Sequence, residues 1–335
     1  MAFSLRSLFP RQPSSKGVNQ LPGWYLCLGN SESSEEIAWQ DERLQVFQPS
    51  RFAVSPSGRF VVIGDAWLSN TLLLLKANSD QHLPIDQEFE PPSEFPNLLS
   101  QPSNQQDHFH LALIAALWEQ HGEQTWKQLI GNFAIAVWDR AQKTLWLGRD
   151  RSGAKTLYYT TQNRSCWVAS RLYSLNRHHS QELDLIALRD YLSCAFVPGD
   201  RTLWQQVKEV RPGTTVQLPT GAVKPYWQLE ENIFGLDQPL AWHGDRLRTL
   251  LDQVVQEALP SNEPVGVFLS GGLDSSCITA LAAKFHNAPV HSYSIHFGKD
   301  CPNELEFSSL VAQHCQTQHH ILEISFREMW ETLPE

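Results

Sequence analysis

The 335-residue sequence predicts two domains in tandem, an α+β domain built on antiparallel sheets and then an α/β domain built on a parallel sheet. Three observations carry this reading. Short apolar runs broken by turn residues fill the chain to about residue 229. From about Gly244 onward, strands and amphipathic helices alternate. Between the two, Glu230 to Trp242 shows no clear period and reads as a linker. Hydrophobic residues make up 41% of the chain, enough for buried cores and too many for global disorder.

Residues 1–22 form a leader. No acidic residue occurs before Glu32, while Arg6, Arg11 and Lys16 sit among serines. That composition fits a disordered basic leader or a transit peptide, and it lacks the apolar segment of a secretory signal. The first domain spans 23–229. Its strands are expected at Trp24–Leu28, at Phe60–Ile63 after the turn Ser55-Pro56-Ser57-Gly58, and at Asn132–Asp139, Thr144–Asp150, Leu157–Thr161 and Cys166–Ala169. Gln81–Asp107, rich in Pro, Ser, Asn and Gln, reads as a surface loop. A helix is expected over Phe109–His121, where Leu113, Ile114, Leu117 and Trp118 recur at three-and-four spacing. The tryptophans read as core, and the run Arg149, Asp150, Arg151, Lys155 as structural.

The bulk numbers exclude several functions. A net charge of −10 argues against non-specific nucleic-acid binding. The longest apolar candidate, Leu72 to Leu75, is far too short to span a membrane. Cys27, Cys166, Cys194, Cys277, Cys301 and Cys315 contain no C-x-x-C pair, so a reduced, cytoplasmic protein without a zinc site is expected.

The second domain, 244–335, opens with a helix marked by Leu247, Leu250, Leu251, Val254, Val255 and Ala258. Pro264 to Leu269 is a continuous apolar run, expected as a strand buried on both faces. Ser270-Gly271-Gly272-Leu273-Asp274-Ser275-Ser276 follows, and a helix is expected over Ser275–Phe285. A loop joining a strand end to a helix start suits phosphate, because the first helical N–H groups are unpaired and the dipole favours an anion. Gly271 and Gly272 allow phosphate close to the backbone, and Ser270, Ser275 and Ser276 offer hydroxyls. Asp274 makes sense as a Mg²⁺ ligand. The loop lacks the lysine of a Walker A motif and the G-x-G-x-x-G of a dinucleotide fold. A strand at Val290–Phe297 would bring its end beside the loop at a topological switch point, with Ile295 placed to pack near a base. His319 and His320 have no partner at metal spacing, and Asp300, Glu304 and Glu306 read as solvated helix-start carboxylates.

Four stretches taken together resemble the asparagine synthetase (glutamine-hydrolysing) family: Leu129 to Asp139, Gly148 to Tyr159, Val197 to Leu203, and Val265 to Ser276. The resemblance runs from about Gly23 to the end. It implies an Ntn-type αββα glutaminase sandwich, then an ATP-pyrophosphatase domain that activates a carboxylate as its adenylate for attack by ammonia. ATP would be held by Leu269, Ser270, Gly271, Gly272, Leu273, Asp274, Ser275, Ser276 and Ile295, with Mg²⁺ on Asp274.

The sequence departs from the family in the first domain. The family's N-terminal nucleophilic Cys is absent, and the first cysteine is Cys27. The family's Asn-Gly-Glu oxyanion motif reads Ile63-Gly64-Asp65, which has no side-chain amide donor. Its Leu-Asp-Gly reads Leu129-Ile130-Gly131. Arg43 or Arg51 stands where the family carries a glutamine-binding arginine. The expectation is a degenerate amidotransferase domain without glutaminase activity. β-Lactam synthetases and lasso-peptide cyclases share the domain pair and lack the Cys, so a small-molecule or peptide carboxylate and an ammonia or amine donor are implied. The sequence stops soon after the strand expected at His319–Ser325, which raises two further readings: a second chain completing the synthetase domain, and a truncated, non-catalytic homologue that binds nucleotide or a partner.

Overall fold

The computed structural model describes residues 23–29, 37–47, 51–77, 103–162, 165–231, 238–260, 263–298, 304–325, 327, 328 and 330. The leader, Asp300 and most of the loop expected over 81–107 lie outside these. The chain divides into two compact units, residues 22–231 and 232–335.

The first unit holds β1 (Tyr25–Leu28), β2 (Ile37–Asp41), β3 (Leu44–Phe47), β4 (Phe52–Val54), β5 (Phe60–Leu68), α1 (Thr71–Ala77), α2 (Ser103–His121), α3 (Thr125–Gln128), β6 (Gly131–Asp139) and β7 (Thr144–Arg149). It continues with β8 (Tyr158–Gln162), β9 (Ser165–Ala169), α4 (Leu185–Cys194), β10 (Val207–Glu209), β11 (Thr214–Leu218) and β12 (Ala222–Pro225). Two six-stranded antiparallel sheets result, ordered β10-β8-β9-β1-β3-β2 and β12-β11-β7-β6-β5-β4. Strand alternation sorts the apolar residues into layers. Val61, Ile63, Ala136 and Trp138 pack between the sheets with Leu26, Leu44 and Val168. Val62, Phe133, Ile135 and Val137 point the other way, onto Leu113, Ile114, Leu117 and Trp118 of α2. β5 and β6 are therefore apolar at successive positions, because each face meets a core. β5 runs past the expected Ile63 to Leu68, since its pairing with β6 continues to Leu68 opposite Gly131.

The Arg149–Lys155 segment is structural. Arg149 is buried, pairs with Glu209 at 2.6 Å, and donates to the carbonyls of Lys155, Val210 and Gly153. The Asp150 carboxylate accepts from the backbone N–H groups of Ser152, Ala154 and Lys155, closing the turn.

The second unit runs α5 (Leu240–Ala258), β13 (Val265–Phe268), α6 (Leu273–Phe285), β14 (Val290–His296), α7 (Leu305–Cys315) and β15 (Gln318–Glu323). α5 begins inside the stretch read as linker, because Pro239 at its N-cap holds φ at −58° and leads directly into the first turn. The three strands are parallel in the order β13-β14-β15.

Two expectations for this sheet are corrected. β13 is not buried on both faces, since Phe268 is 82% exposed. The order also runs in one direction, so among the described residues β13 is an edge strand and no switch point forms beside it. Both corrections have the same cause. Sequential right-handed crossovers place the connecting helices on one face and add each strand on the same side. Ser292 and Ser294 lie on the covered face and are buried, whereas Phe268 and Ile295 lie on the other.

Candidate functional site

The strand-to-helix loop forms as expected, with its helix starting two residues earlier. Leu273 and Asp274 occupy the first turn of α6 and Gly272 is its N-cap, with no side chain capping it. The Leu269 N–H donates to the Tyr293 carbonyl at 2.8 Å, and Ser294 Oγ donates to the Leu269 carbonyl at 2.6 Å. These bonds fix the loop's entry against β14.

Gly271 has a φ of +98°, the left-handed region that favours glycine. A Cβ there would stand 2.8 Å from the carbonyl oxygen of Glu304 and 3.1 Å from Phe307 Cβ, so the turn also rests against the start of α7. Gly272, at φ −71°, would place a Cβ 3.5 Å from Ser270 Oγ, an ordinary contact.

The hydroxyls bond within the loop. Ser270 and Ser275 Oγ are 3.0 Å apart, and the N–H groups of Ser270 and Gly272 donate to Ser275 Oγ and Ser270 Oγ at 3.3 Å. Ser275 and Ser276 Oγ donate to the Gly272 carbonyl at 3.2 and 2.7 Å. Asp274 is exposed, and the described contacts give its carboxylate no cation or hydrogen-bond donor. Leu273 is 85% exposed and Ile295 half exposed on the uncovered face of β14. The loop residues thus come together at one sheet edge, with Ile295 one strand away. A hard cation fits Asp274, whose oxygens carry no competing partner among the described residues.

The positions of the three departures are distinct. Cys27 lies fully buried in β1, and burial pushes its thiol up to about 12, far from the reactive thiolate range. Ile63 is completely buried between the sheets. Gly64 is closed in too, because a Cβ there would lie 2.3 Å from the Ala134 carbonyl and 3.1 Å from the Trp24 ring. Ile130 is elsewhere. β5 and β6 pair Leu68 with Gly131 and Ile63 with Ala136, so Ile130 sits six residues, roughly 20 Å, along the strand pair from Ile63. Arg51, not Arg43, lies beside the motif, its carbonyl accepting the Gly64 N–H at 3.1 Å.

Sequence reasoning missed two features. His110 on α2 is buried with Nδ1 3.2 Å from the Ala66 carbonyl, and burial pushes its imidazole down to about 4. His320, read as having no partner, has one. Its Nε2 lies 3.0 Å from His291 Nδ1 on the neighbouring strand. Only the β14–β15 register could have revealed that pair.

Comparison with known proteins matches residues 246–335 to the asparagine synthase family and 108–227 to the glutamine amidotransferase domain. Over these residues the chain belongs to the asparagine synthetase family. It is 31% identical over 229 residues to asparagine synthetase (glutamine-hydrolyzing) 1 of Bacillus subtilis, covering 67% of this chain and 35% of the relative. It is 34% identical over 181 residues to asparagine synthetase (glutamine-hydrolyzing) 3 of the same organism, covering 50% and 29%. The chain thus spans about a third of the length of these relatives. The solved glutamine phosphoribosylpyrophosphate amidotransferase of B. subtilis aligns over 92% of this chain and 86% of its own at 11% identity, with a TM-score of 0.36, too low to carry an argument. The amidotransferase match begins at residue 108, so β1 to β5, which hold Cys27 and Ile63-Gly64-Asp65, lie outside it. No described helix is long and apolar enough to cross a membrane.

Proposed function

We propose that this synthetase-family chain binds ATP through Leu269 to Ser276 and serves an ATP-dependent amide-forming reaction, while its amidotransferase-like unit does not hydrolyse glutamine. The observation that carries the ATP reading is the loop itself. A left-handed Gly271 turns the chain so that the uncapped N-terminus of α6 faces outward, next to a carboxylate with no partner among the described residues. In that frame the N–H groups of Leu273, Asp274 and Ser275 receive the β- and γ-phosphates. Ser270 and Ser275 exchange their mutual bond for phosphate oxygens. Asp274 would hold Mg²⁺, which would supply charge neutralisation for pyrophosphate. Ile295 lies near the base.

The acceptor is a small-molecule or peptide carboxylate and the donor is ammonia or an amine. The cytoplasm is the compartment proposed. The loss of glutaminase rests on Cys27, whose buried high-pKa thiol is no nucleophile, and on Ile63, which offers no oxyanion donor.

Direct binding of Mg·ATP, measured calorimetrically, tests the site. ATP–pyrophosphate exchange with candidate carboxylates tests turnover. Binding that Asp274→Asn weakens, together with exchange, supports the ligase. Binding without exchange favours the second reading, a non-catalytic nucleotide-binding homologue. Absence of binding overturns both, and release of ammonia from glutamine overturns the glutaminase claim.

A further inference from the structure

The hydrogen bonds around the loop are of two kinds. Those linking Ser270 and Ser275 Oγ to each other and to the N–H groups of Ser270 and Gly272 are 3.0–3.3 Å long and exposed. The bond from Ser294 Oγ to the Leu269 carbonyl is 2.6 Å long, and both residues are buried. Long exposed bonds compete with water and give way to a ligand. A short buried bond has no water to replace it, so it stays.

Ser294 reaches the loop from the neighbouring strand. β13 and β14 pair as far as Phe268 opposite Tyr293, and the Leu269 N–H still donates to the Tyr293 carbonyl at 2.8 Å. The chain then turns into the loop, and the Leu269 carbonyl takes the Ser294 hydroxyl. The Leu269–Ser270 peptide is trans, so its carbonyl and its N–H point in opposite directions. With the carbonyl anchored on β14, the Ser270 N–H is turned away from that strand. There it donates to Ser275 Oγ, in the first turn of α6, at 3.3 Å.

We propose that Ser294 is a positioning residue of the nucleotide loop: its hydroxyl locks the Leu269–Ser270 peptide so that the Ser270 N–H joins those at the start of α6 in meeting a phosphate oxygen. This role presupposes that Leu269 to Ser276 hold ATP, as proposed above. Ser294 acts through the Leu269 peptide and not on the nucleotide. When Ser275 Oγ turns to phosphate, the Ser270 N–H keeps its direction and donates to the same ligand. Without the Ser294 hydroxyl the peptide is free to rotate, and ordering it would subtract from the binding free energy.

Calorimetric titration of the full chain with Mg·ATP, beside urea unfolding of each variant, separates positioning from stability. Ser294→Ala is expected to weaken binding about fivefold or more, the effect of one hydrogen bond. Ser292→Ala is the control. Its hydroxyl is buried on the same face of the same strand, 2.7 Å from Thr317 Oγ1 and 2.8 Å from His319 Nδ1, and has no described bond to the loop. That substitution should cost comparable stability and leave the affinity within about twofold. Ser294→Thr keeps the hydroxyl and should bind more tightly than Ser294→Ala. Without nucleotide, the Ser270 amide resonance should shift in Ser294→Ala and not in Ser292→Ala. A wild-type chain that does not bind Mg·ATP overturns the ATP reading and this role with it. Wild-type binding that Ser294→Ala leaves unchanged, or that Ser292→Ala weakens equally, overturns the role of Ser294 alone. An unmoved Ser270 resonance in Ser294→Ala does the same.

Discussion

Gly271→Ala separates the loop's folding role from its binding role. The φ of +98° costs a residue with a Cβ about 1–2 kcal/mol. The added carbon would also sit 2.8 Å from the Glu304 carbonyl, a backbone atom that cannot swing aside, so α7 must shift against α6. Overpacking of that kind adds about 1–3 kcal/mol. The sum, about 2–5 kcal/mol, lowers the folding constant of the second unit by roughly 30- to 4,000-fold. Gly272→Ala is the control. Its φ is −71° and its Cβ would meet only Ser270 Oγ at 3.5 Å, so the unit should keep its stability to within about 1 kcal/mol. Yet that Cβ would project where a phosphate approaches, and Mg·ATP binding should fall at least tenfold. Urea unfolding gives the stabilities, and hydrogen exchange over 264–298 assigns the loss to the second unit. Equal destabilisation by both substitutions, or a Gly271→Ala loss under about 0.5 kcal/mol, would refute the argument.

Further outcomes follow from named groups. Asp274→Asn should leave urea unfolding unchanged while reducing ATP affinity in Mg²⁺ but not in its absence, as read by calorimetry. Cys27 should resist iodoacetamide at pH 8 in the native chain and react once unfolded, because burial holds its thiol up at about 12; peptide mass mapping reports this. His110 titrates at about 4 in the fold against 6.5 in the open chain, so the unfolded state binds more protons between those values. Stability of the first unit should therefore fall with acidification through that window, by up to about 1.4 kcal/mol per pH unit from this group. His110→Leu should reduce that slope by the same amount in urea melts at pH 7, 6 and 5. The Asp139 carboxyl is raised by burial, but its bonds to Arg59 and to the N–H groups of Gln142 and Ala141 outweigh that and hold it low. Its contribution persists above the ordinary Asp range and disappears as pH falls below it, so Arg59→Met should flatten the acid limb of the stability profile.

Much of this molecule was legible from local pattern. The loop was readable because a buried-strand run, two glycines and a helix start are contiguous in sequence. The Arg149–Lys155 turn was readable for the same reason. Ile63 was correctly seen to lack a donor, since that is a property of one side chain. How far Ile63 stands from Ile130 was not legible, because it needed the β5–β6 register, which sets Ile63 opposite Ala136 in mid-strand and Ile130 just before the start of β6. His320 was misjudged in the same way. Its partner lies twenty-nine positions earlier and is brought near only by parallel pairing.

The sequence by itself determined the order of elements and the composition of the loop, because each follows from adjacent residues and their intrinsic chemistry. The tertiary structure alone decided that β13 pairs only with β14 among the described residues, that Gly271 presses on the start of α7, that Cys27 is buried beyond reactivity, and that two histidines meet across neighbouring strands. These depend on which strands pair and which face the helices cover. Such choices are made by burial and crossover handedness over the whole domain, and no short stretch of residues encodes them.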